Sequence, residues 1–274
     1  MWFDQHVHME HGPYTPTEYP VEWLEQFLEA GHSRHVMGLG IVEHGYRFTE
    51  SQGLLPGEWS ARRCLYPLRG YTEFLDRVRG RYPIAVGLEM DYVPGAEEGI
   101  RNYLQRYSWD FVLGSVHFLD EFGLDVGEMK DEYVRRDPED IWSLYYHYSI
   151  QAVESGLFQA ITHPDLPKIY GFPKPSDSML IPWYRQFIEA LADNHVALEI
   201  NTAGLRRPVK EIYPHPKLLE EAAKVHLPVT LASDAHEPEN VGRFFDEARQ
   251  LARECGVDKV SAFTANGIQT MSLG

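Results

Sequence analysis

Residues 83–119 read PIAVGLEMDYVPGAEEGIRNYLQRYSWDFVLGSVHFL. A short β-rich run, PIAVGLEMDY, gives way to the amphipathic GAEEGIRNYLQRY, and a second β-rich run, FVLGSVHFL, follows. Strand, helix and strand in that order imply parallel strands joined by a crossover helix. The pattern continues both ways. WFDQHVH and VMGLGIVEH precede it; FQAITHPD, VALEINTAG and PVTLASDAH follow. Between them lie helical patterns such as VEWLEQFLEAG, PEDIWSLYYHYSIQAVESG, IPWYRQFIEALADN and PHPKLLEEAAKVH. Many start near Pro, Ser or Asp and stop near Gly or Asn, as helix-end chemistry requires. The seven β-rich runs are spaced as βα units of about 30 residues or more would be.

The chain has 274 residues, a length at which (β/α) barrels form a single domain. Two long polar, Gly-bearing segments, 47–70 and 120–137, read as loops over one end of the barrel, and VDKVSAFTANG reads as a short closing strand. No apolar run approaches the roughly 20 residues that cross a membrane, and the N-terminus shows no signal-peptide pattern. The net charge of −16 argues against a nucleic-acid surface, which needs a basic footprint. It leaves room for an anionic substrate, because bound metal can reverse a local field. Cys64 and Cys255 match no metal spacing, and such sparse cysteine use fits reduced thiols in a cytoplasmic protein.

The histidines and acids recur at the ends of the β-rich runs. His6 and His8 close the first run, two residues apart and so on one face; Asp234 and His236 repeat that spacing in the seventh. His44 ends the second run, Glu89 lies near the end of the third, His117 near the end of the fourth, and His163 and Asn201 at the fifth and sixth. In a parallel barrel these ends converge on one face. Six imidazoles and two carboxylates crowded there unpaired would be costly to bury. Divalent metals remove that problem, and His nitrogen with carboxylate oxygen suits zinc, iron or manganese. So many ligands require two or more ions.

The motifs HVH, EHGYRF, GLEMDY, GSVHFL, THPDL, INTAGLRRPVKEIYP and SDAHEPENVG resemble the successive motifs of the polymerase-and-histidinol-phosphatase (PHP) superfamily. Within it, GLEMDYVPGAEE, GSVHFL and NTAGLRRPVKEIYP are most similar to the histidinol-phosphatase branch. The resemblance runs from residue 4 to about residue 245. It implies an α/β fold, a distorted (β/α)7 TIM-like barrel, with a two- or three-metal cluster. His6, His8, Glu89 and Asp234 would bind one metal. Glu89 would bridge to a second, held also by His117 and His163. A third would use His44 and His236 and one more ligand from the first loop. Relatives often place a histidine there; this chain has Glu10 and His11 before GPYTP, so the third site, and whether His11 or Glu10 serves it, stays open.

The implied reaction is hydrolysis of L-histidinol phosphate to L-histidinol and phosphate, a step of histidine biosynthesis. A hydroxide bridging two metals is a nucleophile at neutral pH, because metal lowers the pKa of water towards ~7. Asp234 or a neighbouring histidine such as His236 would assist the leaving oxygen. Arg206, Arg207 and Arg47 stand where they would hold phosphate, Arg206 first, with Asn201 beside them; Asp91 and Tyr213 are candidates for the amine and imidazole. The partner is thus a small phosphorylated metabolite, with neither nucleic acid nor membrane expected and no oligomeric state indicated. Two other readings compete: a PHP phosphoesterase acting on a nucleotide or phosphosugar, and a metal-binding domain that has lost catalysis.

Overall fold

The computed structural model describes residues 2–12 and 19–273. In chain order the first elements are β1 (Trp2–Val7), α1 (Val21–His32), β2 (Val36–His44), α2 (Gly57–Ala61), α3 (Leu68–Val78), β3 (Ile84–Asp91) and α4 (Glu97–Leu104). Next come β4 (Phe111–Ser115), β5 (Phe118–Leu119), β6 (Phe122–Gly123), α5 (Glu132–Arg135), α6 (Pro138–Glu154), β7 (Ala160–Ile161) and α7 (Asp177–Asp193). The chain ends with β8 (Ala197–Asn201), α8 (Pro216–Lys224), β9 (Val229–Ala232), α9 (Phe245–Glu254), β10 (Lys259–Thr264) and β11 (Gly267–Ser272).

Seven strands form one parallel sheet in the order β1-β2-β3-β4-β7-β8-β9. It curls until its edges meet. Val7 bridges Ala235, and the His8 amide donates to the Ala235 carbonyl at 2.8 Å. Asp4 completes the seam, accepting the Ser233 amide at 2.9 Å, the Ser233 hydroxyl and the Gly242 amide at 2.8 Å. This is the expected (β/α)7 barrel, nearly closed, with one buried carboxylate replacing most of a ladder.

Alternation along the strands divides the interior. Val42, Ala85, Phe111, Leu113, Ala160, Ala197 and Phe263 form an apolar cluster of their own. Continuing each strand by two or four residues on the same face leads from Val42 to His44, from Ala85 to Glu89, and from Ala197 to Glu199 and Asn201. Small residues make this floor possible. A Cβ on Gly40 would come within 2.7 Å of the Phe111 ring and the Gln5 carbonyl.

Three expectations change. First, β4, β7 and β9 stop at Ser115, Ile161 and Ala232, so His117, His163, Asp234 and His236 lie beyond their strands. The two-residue strand argument therefore fails for Asp234 and His236. Second, the C-terminal run is no closing strand. β10 pairs antiparallel with β11, and this hairpin plugs the barrel through Phe263, stacked on Phe111 at 5.2 Å. Third, the 47–70 segment carries α2 and runs into α3. The 120–137 segment folds over the β5–β6 pair into α5. Among the described residues no helix is long and apolar enough to cross a membrane.

Candidate metal centre

Glu89 is the hub. It projects from β3 into the upper barrel and is 1% exposed. Its Oε2 lies 3.4 Å from His6 Nε2, 3.4 Å from His8 Nε2 and 2.7 Å from His44 Nδ1. Its Oε1 lies 3.2 Å from His163 Nε2 and 3.6 Å from His117 Nε2. Asp234 Oδ1 closes the other side, 3.9 Å from His6 Nε2 and 3.7 Å from His8 Nε2. Three overlapping groups of donor atoms result: His6, His8 and Asp234; His44, Glu89 and His117; His8, His44 and His236.

Two tests bear on whether these donors suit metal ions. Ligand atoms held tetrahedrally at about 2.05 Å from one ion stand about 3.3 Å apart, and most of the spacings above fall within a few tenths of that. In addition, Glu89 Oε2 and His44 Nδ1 are 2.7 Å apart, yet both are buried without a hydrogen bond. So close a pair of buried donor atoms is one that a shared cation would satisfy. The donor set fits.

Outer carboxylates aim the imidazoles. Glu199 Oε2 lies 2.9 Å from His6 Nδ1, and its Oε1 accepts the His163 amide at 2.9 Å and the Asn201 side-chain amide at 2.7 Å. Asp91 Oδ1 lies 2.8 Å from His117 Nδ1. Each contact leaves Nε2 pointing inward, as metal-binding histidines require. His163 and Asp234 hold φ values of 27° and 52°, strained for non-glycine residues. The hydrogen bond from its backbone amide to Glu199 fixes the first. Arg206 Nη2, donating to the Ser233 and Asp234 carbonyls at 2.7 and 3.0 Å, fixes the second.

The electrostatics demand positive charge. Burial raises the Glu89 and Asp234 carboxyls, but the surrounding imidazoles outweigh it and hold both well below the usual range. Burial opposes charge on His44 and His117. Glu10 and Glu89 nevertheless lift His44 to about 9, and Asp91 with Glu89 lifts His117 to about 10. Divalent cations would satisfy the same carboxylates while displacing those protons.

Comparison with known proteins matches this geometry. Residues 6–203 fit the family model described as PHP domain. The chain belongs to the PHP family. This PHP chain is 36% identical to the probable histidinol-phosphatase of Deinococcus radiodurans, over 92% of its own length and 93% of that protein's. It is 25% identical to the histidinol-phosphatase of Bacillus subtilis, covering 89% and 96%. In fold it is similar to the Lactococcus lactis histidinol phosphate phosphatase crystallised with zinc, L-histidinol and phosphate. The TM-score is 0.72 at 19% identity, and 98% of each chain is covered.

The PHP barrel brings eight residues chosen from sequence into contact: His6, His8, His44, Glu89, His117, His163, Asp234 and His236. It separates others from the cavity. The carboxamide of Asn201 is spent on Glu199 and on the Ala203 amide at 2.8 Å, so it supports the floor instead of facing a substrate. Arg47 Nη1 is held by Glu10 at 3.1 Å and Glu43 at 2.8 Å, because a buried guanidinium takes the nearest carboxylates. Asp91 likewise serves His117. Glu10 Oε1 stands 3.1 Å from His236 Nε2 and 3.8 Å from His44 Nε2. Burial raises its carboxyl, but His44, His236 and Arg47 draw it down to about 2. The His11 side chain is 54% exposed, with Nδ1 3.3 Å from Glu237 and Nε2 3.7 Å from Glu10 Oε1. Both residues therefore border the third group, Glu10 the nearer to His236 and His44. Sequence reading missed Glu199, although a lone acid two residues before Asn201 in VALEIN shares its face.

Above the cluster a small chamber opens into a cleft of about 700 Å³. Arg206, Lys210 and Arg243 line the cleft, and Arg207 lines both spaces. Glu10, Asp125, Asp234, Glu237 and Glu239 line the cleft with them, so both signs of charge stand over the cluster.

Proposed function

We propose that this chain is a metal-dependent phosphomonoesterase that hydrolyses L-histidinol phosphate to L-histidinol and phosphate. The observation that carries the reading is the buried His/Glu/Asp cluster beneath an arginine-lined cleft, in a PHP chain 36% identical to a probable histidinol-phosphatase along nearly its whole length. Residues 1–274 are taken as one PHP-type barrel domain, working in the cytoplasm as part of histidine biosynthesis.

Two or three divalent ions, zinc, iron or manganese, are assigned to the donor groups. His6, His8, Glu89 and Asp234 would hold the first, and Glu89, His117 and His163 the second. His44 and His236, with Glu10 as the nearer of the two first-loop candidates, would hold the third. When bound, the cations lower the pKa of water towards ~7 and neutralise charge on the phosphoryl oxygens. Asp234 and His236, the most exposed members of the cluster at 14% and 20%, face both the chamber and the cleft. Asp234, kept anionic by its neighbours, would face the first cation through Oδ1 and, through its other carboxylate oxygen, accept the proton of the attacking water and return it to the leaving oxygen as the P–O bond breaks. His236, with Nδ1 3.2 Å from the Asp234 backbone carbonyl, steadies the turn that carries it. Arg206 and Arg207 hold the phosphate end. Arg206 Nη1 is buried without a partner, and a charged donor left free beside a cleft favours an anion.

The test is phosphate release by purified, metal-replete protein from L-histidinol phosphate, set against nucleotides and sugar phosphates. Preferential turnover of L-histidinol phosphate is expected. Preference for another phosphate, or no release from any, would remove the assignment.

A further inference from the structure

We propose that Asp125 selects a protonated amine on the leaving alcohol, so that the cleft takes its substrate with the phosphate at the arginine rim and the ammonium at Asp125. This rests on the phosphatase reading above and adds a specificity residue to it.

Asp125 lies in the 120–137 loop and lines both the chamber and the cleft. The loop is fixed to the metal centre at this point. The Leu124 amide donates to the His117 carbonyl at 2.8 Å, and the Tyr133 hydroxyl donates to the Leu124 carbonyl at 3.0 Å. Phe122, Leu124 and Val126 are buried around it. The Asp125 carboxylate is therefore held in register with His117, while no described residue gives it a hydrogen bond or ion pair. The other carboxylates near the cluster are committed: Glu10 to His236 and Arg47, Asp91 to His117, Glu199 to His6, Asp234 to His236 and Glu237 to His11; Glu239 is as free as Asp125 but lines only the outer cleft.

The cleft lining carries both signs: Arg206, Arg207, Lys210 and Arg243, and with them Glu10, Asp125, Asp234, Glu237 and Glu239. Of these acids Glu10, Glu237 and Glu239 line the cleft alone, whereas Asp125 and Asp234 also line the chamber. Asp125 shares the cleft with Tyr46 and Trp59, whose rings meet edge-on at 5.4 Å. A carboxylate set beside the phosphate end repels the dianion. A substrate bearing both a phosphate and an ammonium satisfies the arginines and Asp125 together, and rings beside a carboxylate give a cation a favourable surface. The ligand class is a phosphomonoester whose alcohol carries a primary ammonium.

The experiment compares wild type with Asp125→Asn on matched substrates. The readout is the ratio of kcat/KM for L-histidinol phosphate to kcat/KM for 4-nitrophenyl phosphate, which has no cation. The ratio is expected to fall about 10- to 100-fold in Asp125→Asn, the worth of a charge-assisted hydrogen bond. L-Histidinol should also inhibit 4-nitrophenyl phosphate hydrolysis less well in the variant, by a similar factor. An unchanged ratio, with both substrates slowed alike or neither slowed, overturns the proposal. Wild type that hydrolyses 4-nitrophenyl phosphate but not L-histidinol phosphate sinks the substrate assignment. Asp125 is then decided by the ratio of 2-aminoethyl phosphate to ethyl phosphate, which asks for the ammonium alone. Protein inactive on every phosphomonoester would end both readings.

Discussion

The lower and upper halves of the barrel interior are built from the same strands and face opposite problems. Below, Val42, Ala85, Phe111, Leu113, Ala160 and Ala197 pack with Phe263 and need only be dry. Above, two or four residues further along those strands, His44, Glu89, Glu199 and Asn201 are also buried but polar. The lower half gains stability from apolar burial, at about 25 cal/mol per Å². The upper half works against stability, since each polar group left unpaired costs free energy. It holds because Glu199 and Asp91 orient the imidazoles and because cations would take the inward-facing atoms. One half supports the fold; the other uses that support to keep charged groups where water would otherwise separate them.

The comparison predicts that the two halves fail differently. Glu89→Gln should have the largest effect. It removes the charge that five imidazoles face, and several kcal/mol of transition-state stabilisation depend on such a cluster. Turnover should fall by about three orders of magnitude or more, and metal content should fall with it. Chelation of the wild type should reproduce that loss and added metal should reverse it. Full activity in Glu89→Gln, or activity indifferent to chelator, would break the comparison from above.

Phe263→Ala attacks the lower half. A buried Phe replaced by Ala costs about 3–5 kcal/mol, so the denaturation midpoint should drop sharply. The kcat of the folded fraction should stay near wild type, because the plug touches no residue of the cluster. Equal damage to kcat at full metal occupancy would show that the halves are not separable.

Glu199→Gln tests the layer between them. It keeps size and shape but weakens the contact to His6 Nδ1. Losing such an outer partner typically costs about 10- to 100-fold in metal affinity or activity. Metal titration followed by calorimetry reads it directly, and unchanged affinity would mean that His6 needs no orienting carboxylate.

What the sequence made legible follows the same division. The βα alternation and the strand-end histidines were readable because both obey a local period. His6, His8, His44 and Glu89 lie on or next to strands that persist to the site, so spacing placed them. His163 and Asp234 meet the cluster through positive-φ turns, which no strand period predicts. The hairpin plug was misread because a β-rich run does not say whether it pairs in parallel or antiparallel. Arg47 and Asn201 were misplaced for a further reason. Glu43 stands four residues before Arg47 and Glu199 two before Asn201, so spacing allowed both pairs; the burial that makes these side chains take those partners, and the approach of Glu10 to Arg47, are tertiary.

The rim tests the boundary of the upper half. Arg207 is exposed and lines both spaces. Arg207→Ala should lower kcat/KM by about one to two orders of magnitude, the loss of a charge-assisted contact, with metal content unchanged. Arg206→Ala should lower kcat/KM similarly and also weaken metal binding, because Arg206 tethers the carbonyls of Ser233 and Asp234. If Arg206→Ala keeps full metal affinity, the tether is dispensable and Arg206 acts on phosphate alone.

The smallest expected effect is at His11. Sequence left the third group's extra ligand open between His11 and Glu10, and the structure sets the half-exposed His11 ring between Glu237 and Glu10. Exposed substitutions away from special features usually stay within about 0.5 kcal/mol, so His11→Ala should keep kcat/KM within about twofold of wild type. Glu10→Gln is the paired variant. Glu10 lies beside His236, His44 and Arg47, so its loss removes a charge that three cationic or metal-facing groups share. Competitive chelation should show one metal equivalent released more readily from Glu10→Gln than from His11→Ala. The reverse order would make His11 the ligand and return the third site to the pattern of its relatives.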